Sequence, residues 1–379
     1  MRSRNTLIRS VEIRICDDAL VPYAVLDTYE SAVYTERFSG RDSFEITISR
    51  NAKNADLLTV GRILHYYDRE HNTTRAVIVK QVSVNSETIT VSGNDYAGDL
   101  LGCRIATYAT STDTGYDTQI GSAETVMRHY IEVNLTDSAD VARQDPVFTL
   151  ADNDYTRGNL ICVSARFQTL LELLETCCTL GSCGWSASVV EDDSARGWHI
   201  VWDVRLGLDR TQSQDVNSWI MLSEENGTAQ IHDFCDNLPE TNYVYVAGQG
   251  EDASRTVLQV GSDELIGIYR RESFADARDT DDAETLAERG REKISEAIKT
   301  SIEMTYLESP SCVYGRDFDI GDIVTVDAGL YGVYELPVTT VETGYYAEKR
   351  DIVITLGAEI PDIYRVIKNV SRSMPDLRR

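Results

Sequence analysis

Two stretches at opposite ends of the chain carry the same alternation of apolar and polar positions. Near the N-terminus it reads Phe44-Glu45-Ile46-Thr47-Ile48, then Leu57-Leu58-Thr59-Val60-Gly61-Arg62-Ile63-Leu64, and closes with Ile89-Thr90-Val91-Ser92-Gly93. Near the C-terminus it reads Ile302-Glu303-Met304-Thr305-Tyr306, then Phe318-Asp319-Ile320-Gly321-Asp322-Ile323-Val324, and closes with Ile352-Val353-Ile354-Thr355-Leu356-Gly357. Alternation with period two predicts half-buried strands, and the glycines predict turns or bulges that need positive φ. From the first strand to the first Gly is 17 residues in one copy (44 to 61) and 19 in the other (302 to 321). From that Gly to the last is 32 residues (61 to 93) and 36 (321 to 357). This near-equal spacing predicts a duplicated small β-barrel, with Gly61 matched to Gly321 and Gly93 to Gly357. Two related barrels in one chain point to a quasi-symmetric assembly rather than to a single catalytic cleft.

The remaining patterns fill in the organisation. Strands are also expected at Glu12-Ile13-Arg14-Ile15-Cys16 and over residues 75–84. In the middle, Ser122 can cap a helix that presents Val126, Met127, Tyr130 and Ile131 on one face. Phe167, Leu170, Leu171, Leu174, Cys177 and Cys178 recur at helical spacing, with Gly181 as the stop. Strands at 185–190 and 198–203, joined by Ala195-Arg196-Gly197, read as a hairpin. Further on, strands are expected at 243–247 and 255–260. A helix follows, opened by Asp281 and Glu284 as a capping box and striped by Ala283, Leu286, Ala287, Gly290, Ile294 and Ile298. The expected fold class is α+β and β-rich, with two related small β-barrel domains flanking an α/β middle region. The expected division is a first barrel over 1–102, the α/β middle over 103–230, a strand–helix segment and second barrel over 231–360, and a polar, basic tail over 361–379.

Composition narrows the function. The chain has 379 residues and a formal net charge of −26. That balance argues against a nucleic-acid grip, which needs Lys and Arg to neutralise phosphates. It suits a soluble surface, or a channel wall that repels polyanions. Acidic loops such as Glu251-Asp252 and residues 317–322 are candidates for such a wall. No apolar run approaches the ~18 residues of a membrane span. The opening Met1-Arg2-Ser3-Arg4-Asn5-Thr6 has charge but no apolar segment after it, so folding in a reducing cytoplasm is expected. Eight Cys stand at 16, 103, 162, 177, 178, 183, 235 and 312, without a CxxC pair. Cys177, Cys178 and Cys183 read as small buried thiols.

No constellation for catalysis emerges. His65, His71, His129, His199 and His232 form neither HExxH nor HxH, and His199 between apolar strand residues reads as packed or hydrogen-bonded. There is no GxSxG elbow, and Gly248-Gln249-Gly250 lacks the rest of a phosphate loop. Asp317, Asp319 and Asp322 miss the calcium-loop spacing and read as a solvated turn. Acidic pairs at 191–193 and 279–282 read as surface turns. No catalytic, cofactor-binding or metal-ligating residue is therefore expected, and no enzymatic activity.

The chain resembles the baseplate-hub proteins of phage tails, in particular the hub-like family of siphophages and related prophages. The residues that carry this are the 57–64 segment with the strand pair ending at Gly93, the helix at 124–133 followed by Asn134, and the helix at 167–178 with Gly181. Also similar are residues 242–250 (Asn242-Tyr243-Val244-Tyr245-Val246-Ala247-Gly248-Gln249-Gly250), residues 268–279, and Asp317 to Val326, which leads into Gly321-Asp322-Ile323-Val324.

The resemblance implies a homotrimer at the distal tip of the tail. In it, two barrels from each subunit would build a ring of six similar parts. Such a hub would close the tail tube, adapt sixfold to threefold symmetry, and anchor receptor-binding or tip proteins for host attachment. Its implied neighbours are the distal tail or tube protein and the tape-measure protein, with DNA only in transit during ejection. It would reside in the virion after assembly in the bacterial host cytoplasm. Some members carry a C-terminal lysin or fibre-binding extension; this chain runs only about 20 residues past the second barrel, so none is expected. The alternatives are a tail-associated cell-wall hydrolase with its site in the middle region, and a β-rich carbohydrate-binding adhesin.

Overall fold

The computed structural model describes residues 11–358, apart from 27, 70, 108–114, 137, 154, 193–196, 252–253, 279, 296–299 and 347–348. Expectations for the start of the chain, the tail over 361–379, the linker residues Ala195 and Arg196, Ile298, and the acids at 193, 252 and 279 lie outside the described residues.

The alternation near the N-terminus folds as its pattern dictates. Strands β1 (Val11–Cys16), β2 (Pro22–Leu26), β3 (Ser31–Arg37), β4 (Ser43–Ser49), β5 (Ile63–Asp68), β6 (Thr73–Val84) and β7 (Thr88–Asp95) lead into helix α1 (Tyr96–Gly102). On β4, Phe44, Ile46 and Ile48 are buried while Glu45 is exposed. They join Ile13, Ile15, Leu64, Val77, Val79 and Val91 in one core. The Asp95 carboxylate caps α1 by accepting from the Gly98 N–H at 2.6 Å.

The middle region holds β8 (Asp117–Ser122), α2 (Ala123–Leu135), β9 (Phe148–Leu150), β10 (Leu160–Ala165), α3 (Leu170–Gly181), β11 (Gly184–Asp192) and β12 (Gly197–Arg205). The expected helix face of Val126, Met127, Tyr130 and Ile131 is buried, and Ser122 caps α2. Helix α3 begins later than its periodicity suggests. Thr169 and Glu172 form a full capping box, whereas Phe167 sits outside the helix at φ 62° and is half exposed. Strands β11 and β12 form the expected antiparallel hairpin. Cys177, Cys178 and Cys183 are buried in this core.

The last part holds β13 (Asp209–Arg210), β14 (Met221–Ser223), β15 (Ala229–Cys235), β16 (Tyr243–Ala247), β17 (Val257–Gly261), β18 (Glu272–Asp276), α4 (Ala283–Ser295), β19 (Ser301–Tyr306), β20 (Ile323–Asp327), β21 (Val333–Tyr346) and β22 (Arg350–Gly357). The cap of α4 is Asp282, which accepts from Thr285 N–H at 2.8 Å, rather than the expected Asp281. Strands β16, β17 and β18 form a separate sheet under α4. That unit occupies residues 236–300, between β15 and β19, whose ends at Cys235 and Ser301 are paired.

The duplication is present in the hydrogen bonding. Five strands in the order β3-β4-β7-β6-β5 reappear as β15-β19-β22-β21-β20. Both copies bulge at the same place, between Val79 and Gln81 and between Val338 and Thr340. Gly61 N–H donates to Val79 O at 2.8 Å while Val79 N–H donates to Arg62 O at 2.9 Å. Gly321 N–H donates to Val338 O at 2.8 Å while Val338 N–H donates to Asp322 O at 2.9 Å. Gly61 and Gly321, at φ 83° and 93°, are thus true counterparts. The outer glycines are not. Phe44 pairs with Gly93 and Ile302 with Leu356, so the counterpart of Gly93 is Leu356, one residue before Gly357. Gly93 is required because a Cβ would stand 2.0 Å from the Ile78 carbonyl oxygen; Gly357 is required both by its φ of 77° and because a Cβ there would stand 2.2 Å from the Thr300 carbonyl oxygen.

The expectation of two closed barrels is not met. The strands run as one open sheet, β15-β19-β22-β21-β3-β4-β7-β6-β5-β1-β2, through both copies. The copies are joined because β3 of the first adds antiparallel to β21 of the second, from Arg37 opposite Thr340 to Ser31 opposite Tyr346. Each copy nevertheless keeps its own apolar core.

Candidate functional site

The join between the copies is where charge and cavity meet. Glu36 lies on β3, opposite Val341 of β21. Its carboxylate accepts from Arg75 of β6 at 2.8 Å and from Arg205 of β12 at 2.6 Å. Arg205 also donates to Arg37 O at 2.5 Å. One carboxylate therefore ties the first copy to the middle region along the strand that docks on the second copy. Burial opposes its charge, but the two guanidiniums outweigh that and hold the carboxyl below its ordinary pKa. Nearby Asp42 accepts from Tyr34 Oη and from Arg37 N–H, both at 2.8 Å. Burial, with the charge of Glu36 added, pushes the Asp42 carboxyl up to about 6.

A cavity of about 440 Å³ opens beside this network, lined by Glu36, Asp68, His71, Arg75 and Tyr345 among others. His71 stands at the tip between β5 and β6. Its Nδ1 faces Asp68 at 2.8 Å, and its Nε2 faces the Tyr314 carbonyl at 3.5 Å across the join. Asp68 also accepts from Tyr345 Oη at 3.2 Å. The hydrogen bond to Asp68 raises the His71 pKa against the opposing effect of burial. Both ring nitrogens face oxygens, so the ring fastens the tip to the second copy and activates no nucleophile. Burial with the added charge of Glu36 raises the Asp319 carboxyl as well.

Of the acids expected to form a solvated turn, Asp319 is exposed as a whole residue, but Asp322 is not. Asp322 is buried and accepts from Leu208 N–H at 2.8 Å, Arg210 Nε at 2.7 Å and Asp319 N–H at 3.0 Å. It staples the chain after β12 to the start of β20. Asp317 is engaged by Arg316 and by Val313 N–H. Asp322 faces inward rather than into a channel. Glu251 is exposed.

The histidines remain apart. Among the described residues, His65 and His199 have no hydrogen-bond partner for either ring nitrogen. His65 packs on Trp198 with ring centroids 5.0 Å apart, and burial lowers its pKa to about 4. His129 pairs with Asp117 at 2.8 Å and His232 meets Thr305 Oγ1 at 2.5 Å. Among the described residues no group of His, Cys, Asp and Glu is placed to hold a metal ion. No described helix is long and apolar enough to cross a membrane. Sequence reading missed Glu36, Arg75 and Arg205. Their only signal was a charged pair, Glu36-Arg37, closing an otherwise uncharged strand.

With this geometry in place, comparison with known proteins is informative. The family model for the Siphovirus ReqiPepy6 Gp37-like protein matches residues 12–358. The fold is similar to a 43 kDa tail protein of prophage MuSo2 from Shewanella oneidensis, at 14% identity and TM-score 0.56, covering 91% of this chain and 97% of that one. It is similar to prophage tail protein gp18 from Listeria monocytogenes, at 12% identity and TM-score 0.56, covering 95% and 98%. It is also similar to a tail protein from Neisseria meningitidis, at 13% identity and TM-score 0.51, covering 92% and 96%. No curated protein matches the sequence.

Proposed function

Because this chain belongs to the Siphovirus ReqiPepy6 Gp37-like protein family, we propose that it is a structural protein of a phage or phage-like tail, the tail-tip hub of the baseplate. Three copies form a ring that closes the tail tube. The ring adapts the sixfold tube to threefold tip structures and anchors receptor-binding or tip proteins. Its other neighbours are the distal tail or tube protein and the tape-measure protein. DNA passes through it only during ejection, and the protein resides in the virion.

The observation that carries this reading is the five-strand unit occurring twice in one strand order, joined edge to edge. Three chains with two such units present six similar faces, which is what a sixfold-to-threefold adaptor requires. The function is geometric rather than catalytic. The polar groups at the join are consumed by one another, and the solved relatives of like fold are named as tail proteins. Mass by light scattering across a concentration series, with micrographs of the purified protein, tests the proposal. A threefold ring with a central hole is expected at high concentration. A strict monomer at every concentration, with no ring, overturns it.

A further inference from the structure

Among the described residues the two copies of the unit share one join, which leaves each copy with one unused half of it. In the join, the first copy contributes β3 and the β5–β6 tip. The second contributes the edge of β21 and the segment around Tyr314. The register identifies the counterparts. Strand β15 corresponds to β3, with Phe234 opposite Ile302 as Tyr34 is opposite Phe44, beyond a bulge at His232 that β3 lacks. Residues 81–84 of β6 correspond to residues 340–343 of β21, immediately after the shared bulge. Both counterparts are open edges. No described strand pairs with β15 on the side away from β19, nor with residues 81–84 on the side away from β7.

The open halves also keep apolar surface exposed. At the β20–β21 tip, the counterpart of the His71 tip, Leu330 is fully exposed and Tyr331 and Val333 are mostly so. On the receiving side, Val84 and Val60 are more than half exposed. Beyond β4, Glu36 and Arg37 of β3 are paired only by β21. Their counterparts Asp236 and Asn237 continue past β15 without a partner strand. Unpaired strand edges of this kind are templates for another chain.

We propose that β15 of one chain adds antiparallel to residues 81–84 of β6 in a second copy of this chain, repeating between chains the join that β3 and β21 make within one. This rests on the ring reading above and supplies its contact. Mapped through the register, Phe234 stands opposite Val84, Cys235 opposite Ser83, and Asp236 opposite Val82. The ladder is shorter than the internal one because β6 ends at Val84 while β21 continues to Tyr346. Residues 81–84 carry no charge, so no like charges oppose Asp233 or Asp236. The contact is head to tail, and such contacts close into a ring when the rotation allows.

The register makes a sharp test, because Cys235 is native, free and exposed. The variant Ser83→Cys, made with Cys103→Ser to remove the other exposed thiol, should form disulfides between chains under mild oxidation. Directly opposed residues lie within disulfide reach, whereas diagonal neighbours at ~7–8 Å are poorly placed. Covalent species up to a trimer are expected on a non-reducing gel, lost on Cys235→Ser and much weaker for Gln81→Cys. Val84→Lys should weaken self-association at least tenfold and leave monomer stability unchanged. A trimer by light scattering without Ser83→Cys links overturns this contact and leaves the ring, with the β2 edge as the next site to test. A ladder running past trimer supports the contact and overturns threefold closure. A monomer at all concentrations without links overturns both. Oxidised wild-type dimers through Cys235 alone would mean a symmetric contact and also overturn the proposal.

Discussion

In the first repeat, β5 ends the five-strand unit against antiparallel β1; in the second, β20 ends it against β13 and β14, both parallel. The first repeat is fastened by Glu36, which pairs with Arg75 of its own unit and reaches outward to Arg205. The second is fastened by Asp322, which gathers two backbone N–H groups and Arg210 around itself. The strand order, the bulge of β6 and β21 and the positive-φ glycine are shared, although β15 bulges at His232 where β3 does not. What differs most is what touches a neighbour. Hydrogen-bond register resists change because a slip by one residue turns every buried side chain outward. The rims carry no such constraint, so charge and partner can diverge while the unit stays recognisable.

The two staples give the largest way to break this comparison. Glu36→Ala leaves the largely buried Arg75 and Arg205 without the carboxylate that pairs them, with Asp42 as a weaker counter-charge, and about 3 kcal/mol of unfolding free energy should be lost. Asp322→Ala leaves one arginine and two N–H groups, and about 2 kcal/mol should be lost. Chemical denaturation of both variants checks the order. An effect near zero for Glu36→Ala would mean that the β3–β21 ladder holds the join without its charges.

The matched glycines sharpen it. A Cβ at Gly61 meets nothing within 4 Å, so Gly61→Ala should cost only the ~1 kcal/mol of a positive-φ alanine. A Cβ at Gly321 would stand 2.1 Å from a ring carbon of Phe38. Gly321→Ala therefore adds overpacking, and about 3 kcal/mol in total is expected. Equal losses at the two sites would show that Phe38 swings aside.

Two histidines on one hairpin provide the smallest effect. His65 is held neutral, so as pH falls from ~6.5 towards its folded value of about 4 the unfolded chain gains a proton that the folded one refuses. Stability contributed by His65 is full above ~6.5 and lost through that window, and His65→Leu should flatten the profile there. His71 has the opposite sign. Its pKa is raised in the fold, so its contribution is full below ~6.5 and fades as pH rises through the folded value. The deficit of His71→Gln against wild type should be larger at pH 6 than at pH 8, measured by denaturant titration.

The sequence made the repeat legible where side chains alternate against a core. Phe44, Ile46 and Ile48 and their counterparts Ile302, Met304 and Tyr306 are aligned by their apolar alternation, and all six are buried. It misled where one residue type serves two needs. Gly93 is demanded by lack of room alone and Gly357 by its φ as well, and spacing cannot tell these apart. Asp322 looked solvated because three aspartates in six residues suggest a wet turn; its partners, Leu208 and Arg210, come from a distant part of the chain. Glu36 was unreadable for the same reason, since Arg205 stands far away in sequence. Barrel closure was out of reach as well. Whether a sheet shuts on itself or takes a foreign edge depends on which strand ends meet, and no local pattern encodes that.

The position between β15 and β19 bears on how such proteins diversify. In the first repeat the equivalent strands β3 and β4 are bridged by residues 38–42 alone. In the second, the chain leaves at Cys235, builds the α4 unit, and returns to the adjacent rung at Ser301. An excursion that departs and lands side by side imposes no strain on its scaffold, whatever its length. That makes the rung a socket. A lineage could exchange the module seated there for one of different surface and meet a new neighbour without redrawing the ladder that carries it.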